Sequence, residues 1–251
     1  MLAALVLLVC ALLSPVTPPP YHGTIFIAPE IFLDDDPTSF TGLTFEGRGE
    51  AKQFDRRTNA WETNNAWQFS ASFADGLSLT VRVNPEFDQT RAEELARFYM
   101  KALGQLPTGL RQGLVSFDIH DGDELFGGGG RNVLVHHLQG EKYVESGILV
   151  ETLFHETVHA TIDQKWATEP SWIEAQRQDA AFLSNYGRDH PTREDLAESL
   201  LLCFGVSERP DRLPVGTEWA VRETIPARLA WFEKQLAWKP VTPPPTSRPA
   251  E

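Results

Sequence analysis

Residues 147–163 read Gly-Ile-Leu-Val-Glu-Thr-Leu-Phe-His-Glu-Thr-Val-His-Ala-Thr-Ile-Asp. Ile148, Leu149, Leu153, Phe154 and Val158 give this stretch the apolar surface of a helix buried against a core. Within it stands His155–Glu156–Thr157–Val158–His159, an H-E-x-x-H arrangement. Four residues make about one helical turn, so both imidazoles project from one face and can bind a single metal ion. Zinc suits them, since it takes His nitrogens at about 2.0–2.1 Å in a tetrahedral site. Glu156 is offset to the side, where it can take a proton from water on the metal without becoming a ligand. Chance alone would produce the pattern in about one such chain per hundred, so the helical context carries weight.

On either side of this helix the pattern of apolar residues changes. From 43 to 84 it alternates as in strands: Leu43 and Phe45, then Trp67, Phe69, Ala71 and Phe73, then Leu77, Leu79, Val81 and Val83. Thr63–Asn64–Asn65 and Asp75–Gly76 are turn signals, which predicts a hairpin or meander. Thr90 followed by Glu93 reads as the capping box of a helix whose core face is Leu95, Phe98, Tyr99, Ala102 and Leu103, ended by Gly104. Two strands are predicted at 114–119 and 132–136. The glycine run 127–130 between them lacks the Lys-Ser/Thr of a phosphate loop and leads into a strand, so it reads as a connection beside a cleft. After 147–163 come helices expected at 171–185, 192–204 and 224–236. Strands first and helices afterwards predict an α+β fold.

Two histidines need a third ligand. Ile162 and Lys165 occupy the places where a metzincin has Gly and then His or Asp, which excludes that class. Downstream, Thr192 and Asp195 read as an N-capping pair, leaving Glu194 and Glu198 one turn apart on a shared face. Glu194 would be the third ligand. Glu198 can accept a hydrogen bond from the far ring nitrogen of a ligand histidine and so fix its tautomer. Should Glu194 not ligate, Glu198, Asp195 or His190 would take its place.

His155 and His159 followed by Glu194, with Ala197–Glu198 completing a Glu-x-x-Ala-Glu pattern, resemble the gluzincin zinc metallopeptidases. The similarity is greatest to the lethal-factor-like group, which includes the Pro-Pro endopeptidases, and Asn185–Tyr186–Gly187–Arg188 strengthens it. It covers about 148–204. The resemblance implies a zincin-like fold, with a small mixed sheet, an active-site helix and a helical C-terminal part. It implies Zn2+ held by His155, His159 and Glu194, with Glu156 as general base and Tyr186 stabilising the tetrahedral intermediate. The expected activity is hydrolysis of peptide bonds in a protein or peptide substrate. Strand 132–136 is expected at the cleft edge, pairing with extended substrate, and His136 and His137 beside it are either substrate contacts or surface histidines. Two rivals are a catalytically inactive metal-binding module and a metal-dependent amidase acting on cell-wall material. Glu156 argues against the first, because a site without turnover needs no base.

The chain has 251 residues, 41% of them hydrophobic, enough to fill a sizeable core. With 22 basic against 35 acidic residues, the formal charge of −13 disfavours nucleic acid as a partner. Four of the 18 prolines lie at 15–20 and five at 240–249. We therefore expect a hydrophobic segment and proline-rich linker at 1–20, one zincin-like domain at 21–238, and a disordered tail at 239–251. That domain divides into a β-rich part to about 86, a helix and edge strands to about 146, metal-site helices at 147–204 and a last helix at about 224–238. The uncharged run 2–13 is too short to span a bilayer and fits the core of a signal peptide, although no Lys or Arg precedes it. Export is expected, to the periplasm, envelope or medium, with the segment as a possible membrane or envelope tether. Cys10 and Cys203 do not make a disulfide framework. Oligomeric state stays open.

Overall fold

In the computed structural model, which describes residues 18–235 and Val241, the alternating segment becomes an antiparallel meander. Strand β1 (Phe40–Asp55) pairs with β2 (Ala60–Phe73), and β2 with β3 (Ser78–Val83). The turn at Gly76 stands where expected, with φ +85° and Leu77 N–H bonded to the Asp75 carboxylate. Thr63–Asn64–Asn65 does not turn. These residues lie inside β2, opposite Lys52, Ala51 and Glu50, and the hairpin reverses at 56–59 with Asn59 at φ 52°. Pairing thus runs on past the turn signal, and Ala51, Gln53 and Asp55 on one face of the extension are buried.

Helix α1 (Gln89–Leu103) is capped by Asp88, whose carboxylate accepts Arg91 N–H at 2.8 Å. Thr90 is therefore already inside the helix, and Glu93 pairs instead with Arg97. Leu95, Tyr99, Ala102 and Leu103 are buried, and Phe98 is 42% exposed at the margin of the stripe. A short helix α2 (Thr108–Arg111) leads to β4 (Ser116–His120), parallel to β3. Then come β5 (Gly127–Gly129) and β6 (Asn132–His136), the latter parallel to β4.

The sheet order is β1-β2-β3-β4-β6-β5, so β6 is internal and the glycine run itself forms the edge strand. This corrects the expectation that 132–136 is the edge. Gly130 and Arg131, at φ 57° and 66°, make the tight turn between the two strands. Glycine is required in β5 because the strand presses against a helix backbone. A Cβ on Gly128 would lie 1.8 Å from the Glu156 carbonyl oxygen.

Beyond the sheet follow α3 (His137–Glu145), α4 (Leu149–Thr157), a π-helical turn (Val158–Ile162) and α5 (Asp163–Trp166). The expected 147–163 helix is thus one rod running from 149 to 166, with a widened turn at 158–162. Helix α6 (Pro170–Asp179) ends at left-handed Ala180, short of the expected 185, and α7 (Asn185–Asp189) is separate. Helix α8 (Asp195–Glu208) begins after Glu194; neither Thr192 nor Asp195 caps it, since Asp195 turns inward. Pro226, which has no N–H to give, divides the last segment into α9 (Thr217–Thr224) and α10 (Pro226–Gln235).

The result is α+β: a six-stranded mixed sheet with helices gathered on the later part of the chain. One continuous core joins Phe69, Val81 and Phe117 of the sheet to Tyr99 of α1, Phe154 of α4 and Leu200 of α8. Cys203 is buried in this core, and burial pushes its thiol pKa well up. No helix among the described residues is long and apolar enough to cross a membrane. The apolar run 2–13 and most of the tail 239–251 lie outside the described residues.

Candidate metal centre

Helix α4 carries His155 and Glu156 to the cleft, and the π turn carries His159. A π turn is uncommon and concentrates at functional sites. Here it is anchored on both sides. Thr161 Oγ1 bonds the carbonyls of Thr157 and Leu110, while the carbonyl of Ala160 accepts Arg131 N–H from the β5–β6 turn at 3.1 Å.

Glu194, at the entrance of α8, completes the group. His159 Nε2 lies 3.1 Å from His155 Nε2 and 3.2 Å from Glu194 Oε2; His155 Nε2 lies 3.6 Å from the same oxygen. A tetrahedral ion with bonds of about 2.0–2.1 Å sets its ligand atoms about 3.3–3.4 Å apart. The three separations bracket that edge length, so the donor set fits zinc in both spacing and chemistry. Among the described residues this is the group of His and carboxylate side chains whose atoms converge closely enough to hold an ion.

The surroundings orient the three donors. Asp163 Oδ2 sits 2.5 Å from His159 Nδ1, which leaves Nε2 to face the centre. The other Glu194 oxygen, Oε1, accepts Tyr186 OH at 3.0 Å and Arg193 Nε at 2.8 Å, so Oε2 alone turns toward the histidines. Glu198 Oε1 is 3.7 Å from His155 Nδ1, which has no hydrogen-bond partner. Its Oε2 accepts Thr24 N–H at 2.9 Å and its carbonyl accepts Thr24 Oγ1, so Glu198 also fastens the N-terminal strap to the site. Tyr21 and His22 bond the backbone at 183–186, holding the same strap beside α7.

Burial opposes a charge on His159, but Asp163 and Glu194 outweigh it and raise its pKa to about 10. Burial alone would raise the Glu194 carboxyl; the contacts from His155, His159 and Tyr186 instead hold it well below the ordinary carboxylate range. Burial, and then the adjoining Glu194 carboxylate, raise the Tyr186 hydroxyl, which therefore stays a proton donor at neutral pH.

The cleft over the centre has a volume of about 760 Å³. His155, Glu156, His159 and Glu194 line it, together with Tyr186 and Arg193. His136 and His137 are elsewhere: His136 is fully buried 3.5 Å from Asp55, and His137 contacts Arg91 at 2.8 Å and Tyr99 at 3.3 Å. Both are buried, so neither is a surface histidine, and neither lines the cleft. Of the alternative ligands, Asp195 is bonded to Arg228 at 2.6 and 2.8 Å, and His190 packs against the Tyr186 ring. Three participants were not expected from the sequence: Asp163, Arg193 and the strap at 21–26. Asp163 had a signal, one turn beyond His159 on the same helix; the strap had none. No family model, curated protein or solved structure matches the chain.

Proposed function

We propose that the protein is a zinc-dependent metallopeptidase with a zincin-like fold and a gluzincin ligand set. The observation that carries this reading is the convergence of His155 Nε2, His159 Nε2 and Glu194 Oε2 beside Glu156 in one cleft. Bound zinc would supply Lewis acidity, which eases addition of water to a carbonyl. Glu156 accepts the proton of the attacking water on its carboxylate and returns it to the departing amine nitrogen. Tyr186 keeps its proton and can turn its hydroxyl from Glu194 toward the oxygen of the carbonyl under attack. Asp163 holds the His159 ring through Nδ1, and Glu198 stands 3.7 Å from Nδ1 of His155.

An extended peptide would lie in the cleft against the outer edge of β5, whose other edge is bonded to β6. The uncharged run 2–13 supports export of the chain, with that segment as signal or tether. The test uses the zinc-loaded protein and a mixed peptide library. Glu156→Gln should keep its zinc and lose roughly 10²–10⁴ in cleavage rate. A variant that cleaves as fast as wild type would remove the basis of the reading.

A further inference from the structure

Most arginines of this acidic chain are occupied. Every described one except Arg56 makes a hydrogen bond or an ion pair. Arg56 stands at the tip of the β1–β2 hairpin, and the acids of the hairpin and Glu86 are spent on its neighbours, while Glu156 lines the same cleft without bonding it. Asp55 accepts Arg57 N–H at 2.9 Å and pairs with the Arg57 guanidinium at 2.7 Å. Glu86 pairs with Arg57 at 2.9 Å, and Glu62 accepts the Thr58 hydroxyl at 2.6 Å.

The free guanidinium is laid on the edge strand. A Cβ on Gly127 would meet Arg56 Nη2 at 2.7 Å and Nε at 3.1 Å, so the glycine supplies the bed on which it rests. Arg56 and Gly128 line the metal cleft and also line a second cavity of about 290 Å³, walled by Phe54, Asn59 and Trp61 of the hairpin. The two cavities therefore meet at Arg56. A peptide lying along β5 from one cavity to the other would pass Arg56.

We propose that Arg56 is a specificity-determining residue that receives the carboxylate of an aspartate or glutamate near the scissile bond, making acidic-residue-bearing peptides the preferred substrates. The inference rests on the metallopeptidase reading for its orientation. Its chemistry is independent: a guanidinium with no internal partner binds a carboxylate through paired N–H donors. The overall charge of −13 would repel acidic peptides, so a local cation at the groove is what recognition of them needs.

Two measurements on the full chain test this. In the first, zinc-loaded protein cleaves a peptide series in which each flanking position is Glu, Gln or Lys. Wild type should prefer Glu at one position by about tenfold in kcat/KM. Arg56→Gln should lose that ratio, and Arg56→Glu should shift it toward Lys. In the second, the same labelled peptides bind to Glu156→Gln and to Glu156→Gln/Arg56→Gln, with anisotropy as the readout. The Glu peptide should bind about tenfold more weakly to the double variant, and the Gln peptide should show a smaller change. Cleavage without a Glu preference, a preference that survives Arg56→Gln, or equal binding to both variants overturns the inference. Arg56-dependent binding in a protein that cleaves none of the peptides would sustain it while removing the peptidase reading.

Discussion

Asp163 illustrates how much of the centre depends on side chains that touch no ligand position. It lies one turn past His159 and, at 2.5 Å from Nδ1, decides which imidazole nitrogen faces Glu194. Asp163→Asn keeps the shape and removes the charge, so zinc affinity should fall by about 10–100-fold in a chelator-competition titration. Glu194 works in the complementary way: Tyr186 and Arg193 occupy Oε1 and leave Oε2 for the histidines. At this level the pairing of His155 with His159 was legible because both lie on one helix, whereas Asp163 and Arg193, equally close to their partners along the chain, were missed. His155, His159 and the i+4 carboxylate share one helix, and the geometry of that helix brings them together. Asp195 was misread because its neighbour Thr192 is local, whereas Arg228, which claims its carboxylate, is distant in sequence.

Helix α4 also carries a buried acid one turn before His155. Glu151 accepts Phe32 N–H at 2.9 Å, and burial raises its pKa to about 8 from the ordinary 4.5. The folded chain then holds a proton between pH 4.5 and 8 that the unfolded chain releases. Glu151 should therefore cost stability progressively as pH rises through that window, and nothing extra above it. Glu151→Gln should flatten the profile of melting temperature against pH over the same range. Helix α8 is tied differently. Arg228 of α10 is fully buried and binds Asp195 of α8 and Asp179 of α6 at 2.6 and 2.9 Å. Arg228→Met strands two buried carboxylates and should lower stability by about 3–5 kcal/mol in denaturant unfolding. Sequence periodicity found α1 and β6 but missed that β5 is a strand at all. Three glycines carry no apolar alternation, and their role comes from a helix backbone that only the tertiary fold brings near.

Across the whole molecule, the mixed sheet carries α4 along β5, and α8 meets α4 so that Glu194 reaches the two histidines. The strap at 21–26 closes one wall through bonds between Thr24 and Glu198, residues 174 positions apart, a pairing invisible to any local pattern. The α+β class and the pairing of His155 with His159 on one helix could be read from pattern, spacing and helical geometry. The edge strand, the strap and the unpaired Arg56 could not, since each arises from contacts distant in sequence. On the proposed reading, three side chains from two separate segments make one zinc site. Zinc content of purified, dialysed protein tests it most directly, with wild type measured beside Glu194→Ala. Wild type should hold about one zinc per chain and Glu194→Ala should lose most of it. Equal zinc in both proteins, or none in wild type after incubation with the metal, would show that these three residues do not form the site.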